Sequence, residues 1–202
     1  LTDHGYRNPP AGIPRVNLDQ RWAMQELVRL LAERGHRSLG YFRPAEGLDQ
    51  YSLRWGATVA AAEEHGLALH PSFTQPRSIR PETHEQVMDE FAEQVATGVR
   101  QRAITAVICP GDAYAWPLIQ RLQALGIRIP EDVSITGFDD SRREPPPGLP
   151  GLTTVRTPFP ALYHAAFDLL QARMDGQGGQ FGEMLIRPEI VVRGSIGPAR
   201  QN

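Results

Sequence analysis

Several side chains able to recognise a polar molecule fall at or near the ends of segments that read as strands: Asp19, Arg54, Phe73, Asp112, Trp116, Asp139 and Phe159. An arginine presents a planar fork of five donors and an aspartate accepts hydrogen bonds, so together they suit hydroxyl, amino or carboxylate groups. An aromatic ring, with its flat apolar face and polar rim, suits stacking on a sugar or a base, and Trp22 joins Phe73, Trp116 and Phe159 on that ground. The parts needed for bond breaking are missing from the sequence: it has no G-x-S-x-G elbow, no Walker loop, no G-x-G-x-x-G after a strand, no C-x-x-C and no H-E-x-x-H. The histidines at 4, 36, 65, 70, 84 and 164 are dispersed, and His36 reads as a structural group between a helix end and a strand. No catalytic residue, metal ligand, cofactor or enzymatic activity is therefore expected.

The elements that must position these residues follow from periodicity. Ile13 to Asp19 reads as a strand, and Trp22 to Arg34 as a helix on the spacing of Met24, Leu27, Val28 and Leu31, ended by Gly35. Ser38–Phe42 and Leu67–Phe73 are predicted strands either side of an alanine-rich helix over Tyr51–Glu64. A helix over Pro81–Thr97 capped at Gly98, a β-branched strand over Ile104–Cys109, a helix over Tyr114–Leu125 with Asp112 as N-cap, and a strand over Val133–Phe138 continue the alternation. The proline-rich stretch from Asp139 to Gly151 is a stiff connector. A strand at Leu152–Arg156, a helix from Phe159 to Met174, a Gly/Gln turn over Gly176–Gly182 and a last strand from Met184 to Arg193, broken at Pro188, complete the chain. Strands alternating with helices of this length predict an α/β fold with a doubly wound parallel sheet. Such sheets bind ligands beyond the carboxyl ends of their strands, here Asp19, the loop from Arg43 to Arg54, Phe73 to Arg77, Gly111-Asp112 and Asp139-Asp140.

Composition narrows the class further. The 202 residues are 41% hydrophobic and 22% charged, with no apolar run near the roughly 20 residues a membrane-spanning helix needs. Its 21 basic residues, all arginine, are scattered among 23 acidic ones for a net charge of −2, which is not the basic stripe of a nucleic-acid-binding face. The single cysteine, Cys109, lies in an apolar run and reads as a core residue in a reducing compartment. Leu1 to Arg7 carries no signal-peptide pattern and reads as the start of a fragment.

The segment Ile129-Pro130-Glu131-Asp132-Val133-Ser134-Ile135-Thr136-Gly137-Phe138-Asp139-Asp140 resembles the lactose-repressor and galactose-repressor (LacI) family of bacterial transcription regulators. Gly35-His36-Arg37, Leu152-Thr153-Thr154-Val155 and Val191-Val192-Arg193-Gly194-Ser195 match further family markers in family order, so the resemblance runs from about Ile13 to Ser195. It implies a two-lobed effector domain of the periplasmic-binding-protein-like type I class: residues 1–34 the end of the first lobe and crossover, 35–144 the second lobe, 145–180 a connector and the returning strand and helix of the first lobe, and 181–202 the final strand of the second lobe and a tail. It also implies that the DNA-binding head and most of the first lobe lie outside this chain.

By the same resemblance Arg54 reaches a small-molecule effector from the first helix of the second lobe, and Asp139 accepts hydrogen bonds from effector hydroxyl or amino groups. Phe73, Phe159, Asp112, Trp116 and Asp19 are the further candidate contacts, while Asp140 is expected to be structural. The family's glycine and aromatic after the arginine are replaced by Ala57 and Thr58, and its frequent asparagine by Gly111. The implied function is an effector-sensing domain that binds a sugar or similar ligand between lobes and controls DNA binding allosterically. The expected partners are that effector, operator DNA through the head alone, and a second copy in a homodimer, in the cytoplasm and with no membrane contact. Two alternatives share the fold: a periplasmic sugar-binding component of an uptake transporter, and an effector domain fused to a winged-helix head.

Overall fold

The computed structural model describes residues 15–45, 49–80, 82–176 and 182–200. Four parallel strands form the central sheet in the order β4 (Ala68–Leu69), β2 (Ser38–Tyr41), β6 (Ala106–Ile108), β7 (Ser134–Thr136). Each parallel step needs a crossover, and the helices supply it: α2 (Asp49–Glu64) from β2, α3 (His84–Arg100) from β4, and α4 (Asp112–Ala124) from β6. Side chains alternate across the sheet, so Leu39, Tyr41, Ala106 and Ile108 pack with α1 (Gln20–Glu33) and α2, while Val107 and Ile135 pack with α3 and α4 on the other face. The doubly wound α/β reading is therefore correct. Because the chain winds outward in opposite directions from β2 and β6, the crevice beyond their carboxyl ends is the topological switch point.

The remaining strands are short. β1 (Arg15–Leu18) pairs in parallel with β9 (Glu183–Ile186), and β8 (Thr154–Arg156) pairs antiparallel with β10 (Glu189–Val191). β3 (Arg43–Pro44) and β5 (Pro76–Arg77) form a parallel pair beside the crevice. Isolated bridges from Thr136 to Thr153 and from Asp139 to Arg156 tie the β8 segment along the edge of β7. Helix α5 (Phe159–Met174) lies over β1 and presents Tyr163, Phe167, Leu170 and Met174 to solvent, as β9 does Met184 and Leu185. Among the described residues no helix is long and apolar enough to cross a membrane.

Helix α1, in the 1–34 segment expected to end a first lobe and cross over, buries Ala23, Met24, Leu27, Val28 and Leu31 against the central sheet. Backbone pairing with β9 ends at Asp19. The expected break at Pro188 separates two strands: Pro188, lacking an N–H, divides β9, which joins β1, from β10, which joins β8. Two expectations need correction. The predicted strand over Leu67–Phe73 stops at Leu69 and turns into a 3₁₀ turn over Pro71–Phe73, with Pro71 at its start. Gly98 is not a cap but an interior residue of α3, where a Cβ would lie 2.4 Å from the Phe73 ring. Glycine there admits a ring. The expected turn over Gly176–Gly182 lies largely outside the described residues.

Candidate functional site

Arg54 is the centre of the crevice. It sits in α2, the helix that leaves β2, with 4% of its surface exposed. Its Nε donates to Gln20 Oε1 at 2.6 Å, in the first turn of α1, and its Nη1 donates to the carbonyl of Pro110, just beyond β6. The guanidinium lies flat over the Phe138 ring, 3.5 Å from the centroid, and 5.8 Å from that of Tyr51 one helical turn away. Nη2 stands 3.8 Å from Asp139 Oδ1, beyond β7. One arginine thus connects the ends of two central strands and the start of α1. Burial lowers its pKa while the carboxylate of Asp139 opposes that shift, and a guanidinium so held stays charged.

Asp139 differs from Arg54 in being 45% exposed at its side chain. The sealed cation beside an open carboxylate is a donor and acceptor pair facing one space. At 3.8 Å the pair is longer than a direct hydrogen bond, so a hydroxyl can accept from the guanidinium and donate to the carboxylate. Two of the arginine's N–H groups go to Gln20 and Pro110, leaving the Nη2 edge turned to Asp139.

Around this pair stands an aromatic wall that the sequence reading missed. Tyr51 and Tyr114 meet edge to face with centroids 6.0 Å apart, Phe42 lies 4.7 Å from Tyr114, and His84 lies 6.2 Å from it. Burial raises the Tyr114 hydroxyl's pKa, so it remains a neutral donor and acceptor. A Cβ on Gly111 would come 3.6 Å from Asp139 Oδ2 and 3.9 Å from Tyr114 Cδ2, which brings the turn after β6, the carboxylate and the ring to one point. The available signal was Tyr51 at i−3 from Arg54, on the same helix face.

The other candidates are placed differently. Asp112 was expected as an N-cap; Gly111 occupies that position, and Asp112, 1% exposed, accepts from Thr154 Oγ1 at 2.6 Å and Ser141 N at 2.9 Å instead. Its carboxyl pKa is raised by burial and only partly restored by those bonds, so it fastens the α4 start to β8 and the proline loop. Asp19 caps α1 through Trp22 N at 3.0 Å and adjoins Gln20. Phe73, 7% exposed, is pressed against Gly98, and Trp116 is buried in the core between the sheet and α3 and α4. Both side chains pack into the core on the α3 and α4 side of the sheet. Trp22 carries Arg187 over its ring at 4.8 Å. Phe159 is 46% exposed and stacks on Tyr163 at 6.1 Å along α5. Asp140, expected to be structural, is 2% exposed and paired with Arg156 Nε and Arg193 Nη2, each at 2.7 Å. Among the described residues no group of three or more His, Cys, Asp or Glu is arranged to hold a metal ion.

Comparison with known proteins bears on this site. Residues 28–196 match the family described as a periplasmic binding protein-like domain. The chain is 31% identical over 190 residues to the HTH-type transcriptional regulator reg1 of Streptomyces lividans, covering 92% of this chain and 53% of that protein. It therefore spans about half the length of the curated relatives it matches. Two solved structures share the fold: the transcriptional regulator CelR in complex with cellobiose (TM-score 0.77, 21% identity, 96% of this chain and 57% of that chain), and a LacI family transcriptional regulator from Enterococcus faecium with bound ribose (TM-score 0.73, 20% identity, 96% of this chain and 69% of that chain). The order of the strands, the crevice at the switch point and the family match agree: the chain belongs to the periplasmic binding protein-like domain family.

Proposed function

We propose that this chain is the sensing part of a longer transcription regulator and binds a small polyhydroxylated molecule, a sugar, in the crevice between Arg54 and Asp139. The observation that carries the reading is that pair: a sealed guanidinium and an open carboxylate 3.8 Å apart at the switch point of a parallel sheet. Tyr51 and Tyr114 add apolar surface on which the C–H face of a sugar ring packs. Support comes from the structural neighbours solved with cellobiose and with ribose bound. The exposed apolar side chains of α5 and β9 fit an interface with the rest of a first lobe contributed by the longer protein.

Ligand binding controls DNA binding in this reading because a ligand that bonds both lobes favours the closed arrangement by its differential affinity, and the regulator's DNA-reading heads respond to lobe geometry. The test is calorimetry on the full-length protein with a panel of mono- and disaccharides that includes cellobiose, maltose and ribose. Arg54→Ala and Asp139→Ala should each weaken the binding sugar by about 10- to 100-fold, the scale of a lost charge-assisted hydrogen bond. Unchanged affinity in both variants removes the site assignment.

A further inference from the structure

We infer that Asp140 is a positioning residue for the ligand site: clamped between Arg156 and Arg193, it fixes the turn that holds the Asp139 carboxylate beside Arg54. The backbone carries the first part of the argument. Asp139 and Asp140 are consecutive non-glycine residues with φ of 108° and 51°, a conformation that L side chains rarely adopt and that persists only where the surroundings impose it. On one side the main chain is tied down by Asp139 N donating to Val155 O at 2.8 Å. On the other, the Asp140 carboxylate is buried and gripped at 2.7 Å by Nε of Arg156, at the end of β8, and at 2.7 Å by Nη2 of Arg193, beyond β10.

Those two arginines are themselves fixed. Arg156 Nη1 donates to Glu189 at 2.8 Å, while Arg193 donates from Nη1 to Leu152 O at 2.8 Å and from its backbone to Thr153 Oγ1 at 2.8 Å. The clamp therefore joins β7's end to the strands on either side of α5 and β9, the segments that leave the central sheet and return to it. Of the two aspartates, one is spent on this clamp and the other is aimed into the crevice; the strained turn makes their directions interdependent. The charged groups facing the turn are Arg54 from α2, Asp112 from α4, and Arg156 and Arg193 from the crossing strands.

The inference rests on the proposed ligand reading only for the use of the site, and its test needs no ligand. In the full-length protein, Asp carboxyl carbons are labelled with 13C and arginine Nε with 15N, and the Asp139 titration is followed by NMR, its signal identified by its loss in Asp139→Asn. In Asp140→Asn the lost neighbouring negative charge by itself lowers the Asp139 midpoint, so the rise of about half a pH unit expected when its carboxylate moves away from the Arg54 guanidinium is opposite in sign, and the Arg54 Nε–H signal should shift with it. Arg193→Gln, which keeps the Arg156 bond, should move both signals in the same direction by less. An unchanged or lowered Asp139 midpoint in folded Asp140→Asn overturns the inference, because loss of the neighbouring negative charge without movement can only lower it. Should Asp140→Asn fail to fold, Arg193→Gln decides by the Arg54 Nε–H signal, and an unshifted signal overturns the inference, because the lost positive charge alone raises the Asp139 midpoint. A calorimetric screen without binding, alongside a raised Asp139 midpoint, would defeat the ligand reading and leave the positioning role standing.

Discussion

The deepest chemical consequence outside the crevice lies at His36, which is 1% exposed where α1 turns into β2. Its Nδ1 is 2.9 Å from Thr105 Oγ1 and its Nε2 3.2 Å from the carbonyl of Gly197. A carbonyl can only accept, so Nε2 carries the proton and Nδ1 accepts from the Thr105 hydroxyl; both ring nitrogens are satisfied in the neutral form. Burial, with smaller contributions from the nearby positive charges of Arg34 and Arg37, holds its pKa down at about 4 against an ordinary 6.5, although the Gly197 carbonyl works the other way. A histidine with a depressed native pKa is protonated in the unfolded chain first. Its contribution to stability is thus complete above about pH 6.5 and disappears as the pH falls through 4. The shift corresponds to about 3 kcal/mol in all, of which about 2 kcal/mol is lost by pH 5.

Replacing His36 with Gln keeps a donor and an acceptor and removes the titration. Urea unfolding of wild type and His36→Gln at pH 7.5, 6, 5 and 4.5 measures the effect. The wild type should lose about 2 kcal/mol more than the variant between pH 7.5 and 5, although the variant starts lower at pH 7.5. The carboxylate Asp132, held at about 2 by Arg128, titrates below this window and does not confuse it. Parallel stability curves for the two proteins across pH 7.5 to 4.5 would refute the buried neutral imidazole.

Two further outcomes follow from packing. A Cβ at Gly137 would lie 2.2 Å from Asp112 Oδ1 and 2.8 Å from Leu152 Cδ2, and Asp112 cannot yield because Thr154 and Ser141 hold it, so Gly137→Ala should cost about 1–3 kcal/mol in denaturant unfolding. Phe73→Ala should cost about 3 kcal/mol of stability and leave sugar affinity in calorimetry unchanged, since the ring fills the space above Gly98 and its faces are covered.

What the sequence determined by itself is whatever depends on near neighbours along the chain. Apolar spacing and the breaks at Gly35 and Gly66, both with positive φ, located α1, α2 and the alternation that dictates a parallel doubly wound sheet. The resemblance pointed to Arg54 through its spacing from Gly66 and to Asp139 through its place at the end of a readable strand. Tertiary structure decided everything that depends on which distant segment arrives. Gly98 looks like a helix end until the Phe73 ring is brought against it, and Asp112 looks like a helix cap until Thr154 and Ser141 compete for its carboxylate with shorter, buried bonds. The split at Pro188 was visible, but that β9 would join β1 and β10 join β8 was not, since strand pairing is a contest among all exposed edges and carries no local signature. The aromatic wall of Tyr51 and Tyr114 went unread for the same reason: α2 and α4 meet only because β2 and β6 are neighbours at the switch point, and that adjacency is a property of the folded sheet.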